Sequence, residues 1–138
     1  MIKKILNAKD WGKTINLALF VLRVAIAFLM LHHGTPKLMK LIGGDLKFSD
    51  PIGLGSETSF ILTVFAEFFC SILLLIGLGT RLASIPLIIT MVVIIFIVHG
   101  NESMFAHYNV LLYLLGYILL LITGSGKYSL DYYLQRRN

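Results

Sequence analysis

The chain has 138 residues, 57% of them hydrophobic and 14% charged, with a mean hydropathy of +0.85 and a formal charge of +5. A soluble domain of this length needs far more polar surface, so the composition excludes that class and points to an integral membrane protein. The single cysteine, Cys70, excludes intramolecular disulfides and CxxC redox chemistry. The basic residues gather at the ends of the chain and form no aromatic-interleaved stripe, which argues against nucleic acid as a partner.

Met1 to Lys13 is a basic lead-in, with Trp11 placed as an interfacial anchor. The basic-then-apolar start resembles a signal peptide, but no small-residue cleavage site follows, so it reads as a retained span. Span one runs from about Thr14 to Gly34, interrupted by Arg23, and Pro36 just beyond it discourages further regular helix. Lys37 to Glu57 carries Gly43-Gly44, Asp50-Pro51, Gly53 and Gly55, all turn signals. Its first residues, Lys37 to Ile42, suit a short interfacial helix.

Span two covers about Thr58 to Leu78 and holds Glu67 near its middle. A carboxylate at hydrocarbon depth survives only with a partner or in a polar cavity. The turn at Gly77, Gly79, Thr80 and Arg81 sends span three, Leu82 to His99, back beside it. Pro86 falls in the first turns of that span, where a missing N–H costs least. A polar loop precedes span four, His107 to Thr123, and a GSGKYSLD turn and short tail follow.

The expected fold is therefore all-α: one domain over residues 1–138, a four-helix transmembrane bundle running up-down-up-down with a longer first outer loop. Eight basic residues outside the spans lie on the side of the termini and three on the other. This favours both termini in the cytoplasm.

Helical spacing groups the polar residues. Thr63, Glu67, Cys70 and Ser71 share one face of span two; Asn109, Tyr113, Gly116 and Thr123 share one face of span four. Arg23 is the candidate partner of Glu67. It lies roughly 17 Å below Gly34, and Glu67 roughly 13 Å below the outer start of span two. The guanidinium fork suits a carboxylate, either as a static ion pair or as part of a proton or ligand site. At the outer face His33, Lys37, His99 and His107 gather. Two histidines with a carboxylate such as Glu102 have metal-binding chemistry, but no HxxxH or HxxE spacing falls within one helix, so no metal site is assigned. A His and Lys cluster can also hold an anion or a quinone oxygen.

Arg23, His33-Gly34 with Lys37, Glu67 in AEFF, GLGTR at 77–81 and LLYLLGYILLLITGSGKYSLD at 111–131 together resemble the DoxX family, from about Leu22 to Asp131. Two departures are present: Cys70-Ser71 replaces a Gly pair, and Tyr108 or Asn109 replaces an acidic residue before LLY. The resemblance implies a four-helix membrane protein associated with quinone-linked oxidoreductases, some of which handle thiol or oxidative stress. With no haem, flavin or iron–sulfur motif, such a chain would work with partner subunits or a diffusible quinone. On that reading Glu67 and Arg23 are the catalytic candidates, and His33, Lys37, Cys70 and Tyr113 the quinone-binding ones. The alternatives are a non-catalytic membrane scaffold with a structural Arg23–Glu67 ion pair and, behind it, a small-solute or proton transporter.

Overall fold

The computed structural model describes residues 4 and 6–137, which are helix and loop with no strand among them. Lys3, counted among the basic residues at that end, and the two extremes of the expected domain lie outside the described residues. Helix α1 spans Lys13–Ile42, α2 Ser56–Ile76, α3 Thr80–Val98, α4 Tyr108–Thr123 and α5 Leu130–Arg137. The first three are long and apolar enough to cross a membrane, and α4 is a shorter apolar helix.

The first helix differs most from expectation, since it passes Gly34 and Pro36 without a break and ends at Ile42. Proline removes one backbone donor, and the Thr35 hydroxyl donates to the Leu31 carbonyl at 2.7 Å in the same turn. Beyond the proline, Lys37 is tied to α2, and that tertiary bond holds the extra turns in place. The expected interfacial helix is thus the end of α1. It stops where Gly43-Gly44 begins, with the Gly43 N–H donating to Met39 at 3.0 Å.

Residues 16, 19, 23, 26, 27, 30 and 34 of α1 are buried, a stripe at helical spacing, while Leu17, Val21, Phe28 and Leu29 face outward. Gly34 lies against α2: a Cβ there would come within 2.6 Å of the Glu67 carbonyl oxygen. Gly116 of α4 meets the tip of the Ile26 side chain, where a Cβ would come within 2.4 Å of its δ-methyl carbon. Small residues at these crossings let the helices approach closely, as packing in lipid favours. Met30, Leu74, Leu87, Tyr117 and Leu120 meet at the centre, so all four apolar helices contribute to one core.

Helix α2 is not uniform. Its Phe65–Cys70 segment is π-helical, one residue wider per turn, and turns Ala66, Glu67 and Cys70 inward while Phe65 and Phe69 face out. The loop before it is braced by Asp50, which accepts from the Ser59 hydroxyl at 2.9 Å and the Gly55 amide at 3.0 Å. These bonds hold the Asp50 carboxyl below the usual carboxylate range, the Ser59 hydroxyl contributing most.

Candidate functional site

Glu67 sits on the π-helical turn of α2 and is 2% exposed. Its partner is Lys37, whose Nζ lies 2.6 Å from Oε2. The lysine side chain retains 31% exposure, so the pair joins a buried carboxylate to a half-buried ammonium. The carboxylate therefore meets the outside only through that ammonium, and π-turns recur at functional sites.

The expected Arg23–Glu67 pair is not formed. Arg23 is 1% exposed, but its Nη2 donates to the Tyr128 carbonyl at 2.6 Å, and the carboxylate within its electrostatic reach is Asp131. The guanidinium fills the space beside Gly77, where a Cβ would collide with Nη1. Gly77 lies ten residues beyond Glu67, roughly 15 Å along the helix. Gly34 is not the outer end of the first span: α1 continues eight residues farther and carries Lys37 to the carboxylate, which leaves Arg23 much deeper than Glu67. Arg23 thus belongs to the turn at 77–79 and not to the Glu67 site.

His33, next to Gly34, meets Tyr113 edge-on with ring centroids 6.1 Å apart, and Tyr113 stacks on Tyr117 at 6.1 Å. His33, Asn109 and Tyr113 supply the polar lining of a groove of about 400 Å³ between α1 and α4. The rest of its wall is Leu22, Ala25, Ile26, Leu29 and Leu112. Cys70 packs in the helical core at 2% exposure and lines no part of this groove. Of the expected site residues, Glu67, Lys37, His33 and Tyr113 therefore share one end of the molecule; Arg23 stands apart, and Cys70 is a core residue.

A family model for DoxX matches residues 18–100, more than half of the chain. The chain belongs to the DoxX family. No curated protein matches it, and no solved structure does. The DoxX match contains Arg23, His33, Lys37, Glu67 and Cys70, and stops before Glu102, His107 and Tyr113. With its three long apolar helices, this DoxX protein is a multi-pass membrane protein.

Sequence reasoning missed Asp131. It is 2% exposed and receives the amides of Gly79 at 2.7 Å and Thr80 at 3.1 Å, capping α3 from a distant part of the chain. Its own amide donates to the Gly77 carbonyl at 2.9 Å. The turn needs this support because Gly77 and Gly79 both have positive φ, 72° and 58°, leaving the first amides of α3 without local acceptors. The available signal was the one acid in the glycine- and serine-rich turn GSGKYSLD.

At the same end Asn16, 1% exposed, donates to Asp10 at 2.6 Å and accepts from the Lys127 amide at 3.3 Å. Asp10 also bonds the Gly12 amide, the largest cause of its lowered pKa. This end is a braced junction of termini and turns. The other end carries the exchangeable polar groups.

Proposed function

We propose that this DoxX protein is a small subunit of, or partner to, a quinone-linked membrane oxidoreductase, and that the groove between α1 and α4 receives the quinone. It is read as a four-span, up-down-up-down bundle in a bacterial inner membrane with both termini cytoplasmic, in keeping with its basic ends. The observation that carries the proposal is the groove itself: an apolar channel for an isoprenoid tail, with His33, Asn109 and Tyr113 placed to bond a ring oxygen.

Glu67 is the proton acceptor in this reading and Lys37 its charge partner, the role first given to Arg23. Oxidation of a quinol releases two electrons and two protons. One proton passes to the Glu67 carboxylate and the other to water at the outer membrane face, and both electrons leave to a partner subunit with its own redox centre. Arg23 acts structurally, through Tyr128 and the turn beside Gly77.

Saturable binding of a short-chain quinone to the purified protein in nanodiscs tests the proposal. Tyr113→Phe and His33→Leu should each weaken binding about tenfold, the worth of one hydrogen bond in a dry site. Ala25→Phe should fill the groove and abolish it. Binding unaffected by all three changes would place the quinone elsewhere, and no saturable binding would sink the reading. The scaffold alternative is favoured by the Arg23–Tyr128 and Asp131–Gly79 contacts, which brace one end of the bundle. It predicts that partner subunits still co-purify with an Ala25→Phe variant that takes no quinone.

A further inference from the structure

The loop joining α3 to α4 gathers three side chains that the quinone reading does not use. His99 follows the π-helical end of α3, Ile94–Val98, and its amide donates back to Ile94 at 3.0 Å. Gly100 then turns sharply; a Cβ there would come within 2.5 Å of the Phe96 carbonyl oxygen, so the turn needs glycine. The Glu102 amide donates to the His99 carbonyl at 3.0 Å, which folds the carboxylate back over the histidine. A 3₁₀ turn, Met104–His107, brings the second histidine to the start of α4.

The result is a convergence on one carboxylate oxygen. Glu102 Oε2 lies 4.0 Å from His99 Nδ1 and in direct contact with His107 Nε2. The two imidazoles stack with centroids 3.7 Å apart and planes 20° from parallel, so different nitrogens of the two rings point to the same place. One ligand atom from each residue lies within 4.8 Å of the others. Donors around a tetrahedral zinc sit about 3.4 Å apart, given bonds of about 2.0–2.2 Å, so rotamer adjustments of about 1 Å close the site. The side chains are 31%, 55% and 32% exposed in chain order, which leaves an entry path and a free coordination position.

We propose that His99, Glu102 and His107 form a binding site for a divalent metal ion of the zinc class. Two imidazoles and one carboxylate with an open position form a donor set that zinc adopts, and no thiolate is present to close the shell. Bound there, the ion would tie the end of α3 to the start of α4. Of the three residues, His99 lies within the residues matched by the DoxX model and Glu102 and His107 lie beyond them. Its geometry does not depend on the quinone proposal.

The test uses the full-length protein in detergent, with any affinity tag removed and prior treatment with a chelator. Calorimetric titration with Zn²⁺ should give one ion per chain. Each of His99→Ala, Glu102→Gln and His107→Ala should lower affinity at least tenfold, since even outer-shell partners of a metal are worth on the order of 10–100-fold. His32→Ala, an exposed histidine outside the cluster, should leave affinity unchanged, and circular dichroism should show equal helix in all variants. Co²⁺ added to the unaltered protein should give the strong visible absorption of a low-coordinate site, a readout that needs no variant. A hydrogen-bonded clasp without metal affinity predicts weak, non-stoichiometric heats and a six-coordinate cobalt spectrum. Either result overturns the proposal, as does a His32→Ala effect equal to those in the cluster.

Discussion

Lys37 Nζ reaches Glu67 Oε2 at 2.6 Å, across a crossing where Gly34 lies against the Glu67 backbone. The two features depend on each other. Close approach at Gly34 brings the helix end bearing Lys37 over the carboxylate, and the ion pair secures a helix that has just passed a proline.

Lys37→Met leaves a 2%-exposed carboxylate without its cation. Removing one member of a fully buried pair costs about 3–5 kcal/mol, and the partial exposure of Lys37 brings the expected loss to about 2 kcal/mol. The Lys37→Met/Glu67→Gln double variant should recover most of it. Arg23→Leu combined with Glu67→Gln should instead be additive within about 0.5 kcal/mol, because those residues share no contact. Unfolding midpoints in detergent for the two cycles separate these outcomes; strong coupling between Arg23 and Glu67 would restore the pairing expected from the sequence.

The Arg23 assignment shows where the sequence was legible and where it was not. Residue periodicity placed Arg23, Glu67, Cys70 and Ser71 in the interior, and all four are buried. Turn residues located α2, α3 and α4 to within two residues, because glycines with positive φ end helices for steric reasons that act locally. Pro36 carried the opposite lesson. A local rule against helix was overridden by a contact thirty residues away, and that error shifted the register of the whole α1–α2 comparison. The cap from Asp131 was missed for the same reason, since it depends on how separate helix ends align; the gathering of His99 and His107 at one face followed from the span order, and only their stacking on one Glu102 oxygen needed the structure.

Asp131→Ala should destabilise the protein by about 1–2 kcal/mol, the usual worth of a helix cap. It removes acceptors for the Gly79 and Thr80 amides together. Asp131→Asn keeps one oxygen and should cost less. Amide exchange at Gly79 and Thr80 should accelerate in the alanine variant while exchange in the middle of α3 stays slow. Equal acceleration along the helix would indicate global unfolding instead of a lost cap.

Acidification should loosen the start of α2 through Asp50. Its folded pKa is depressed by the Ser59 hydroxyl first, then by the amides of Gly55, Leu54 and Gly53. A depressed carboxylate stabilises the fold above its unfolded pKa of about 3.9, and that contribution fades as pH falls from there through the lower folded value. Exchange of the Gly55 amide, bonded to Asp50 at 3.0 Å, should therefore rise below about pH 4. In Asp50→Asn it should be pH-independent in that window beyond the intrinsic chemistry. A rise that persists in the asparagine variant would assign the effect to another group.

Tyr117 separates stability from function. Its side chain is fully buried in the core, and its hydroxyl has no hydrogen-bond partner among the described residues. A buried hydroxyl without a partner carries a desolvation penalty of about 1–3 kcal/mol. Tyr117→Phe should accordingly leave the unfolding midpoint unchanged or raise it, whereas loss of the ring in Tyr117→Ala should cost about 3–5 kcal/mol. The ring stacks on Tyr113, and Glu67 lies within electrostatic reach of both tyrosines. If the hydroxyl serves the proton chemistry proposed for Glu67, Tyr117→Phe will be more stable yet slower in quinol turnover with its partner subunit. Equal turnover with higher stability would make the hydroxyl a packing remnant and confine the proton path to Glu67 and Lys37.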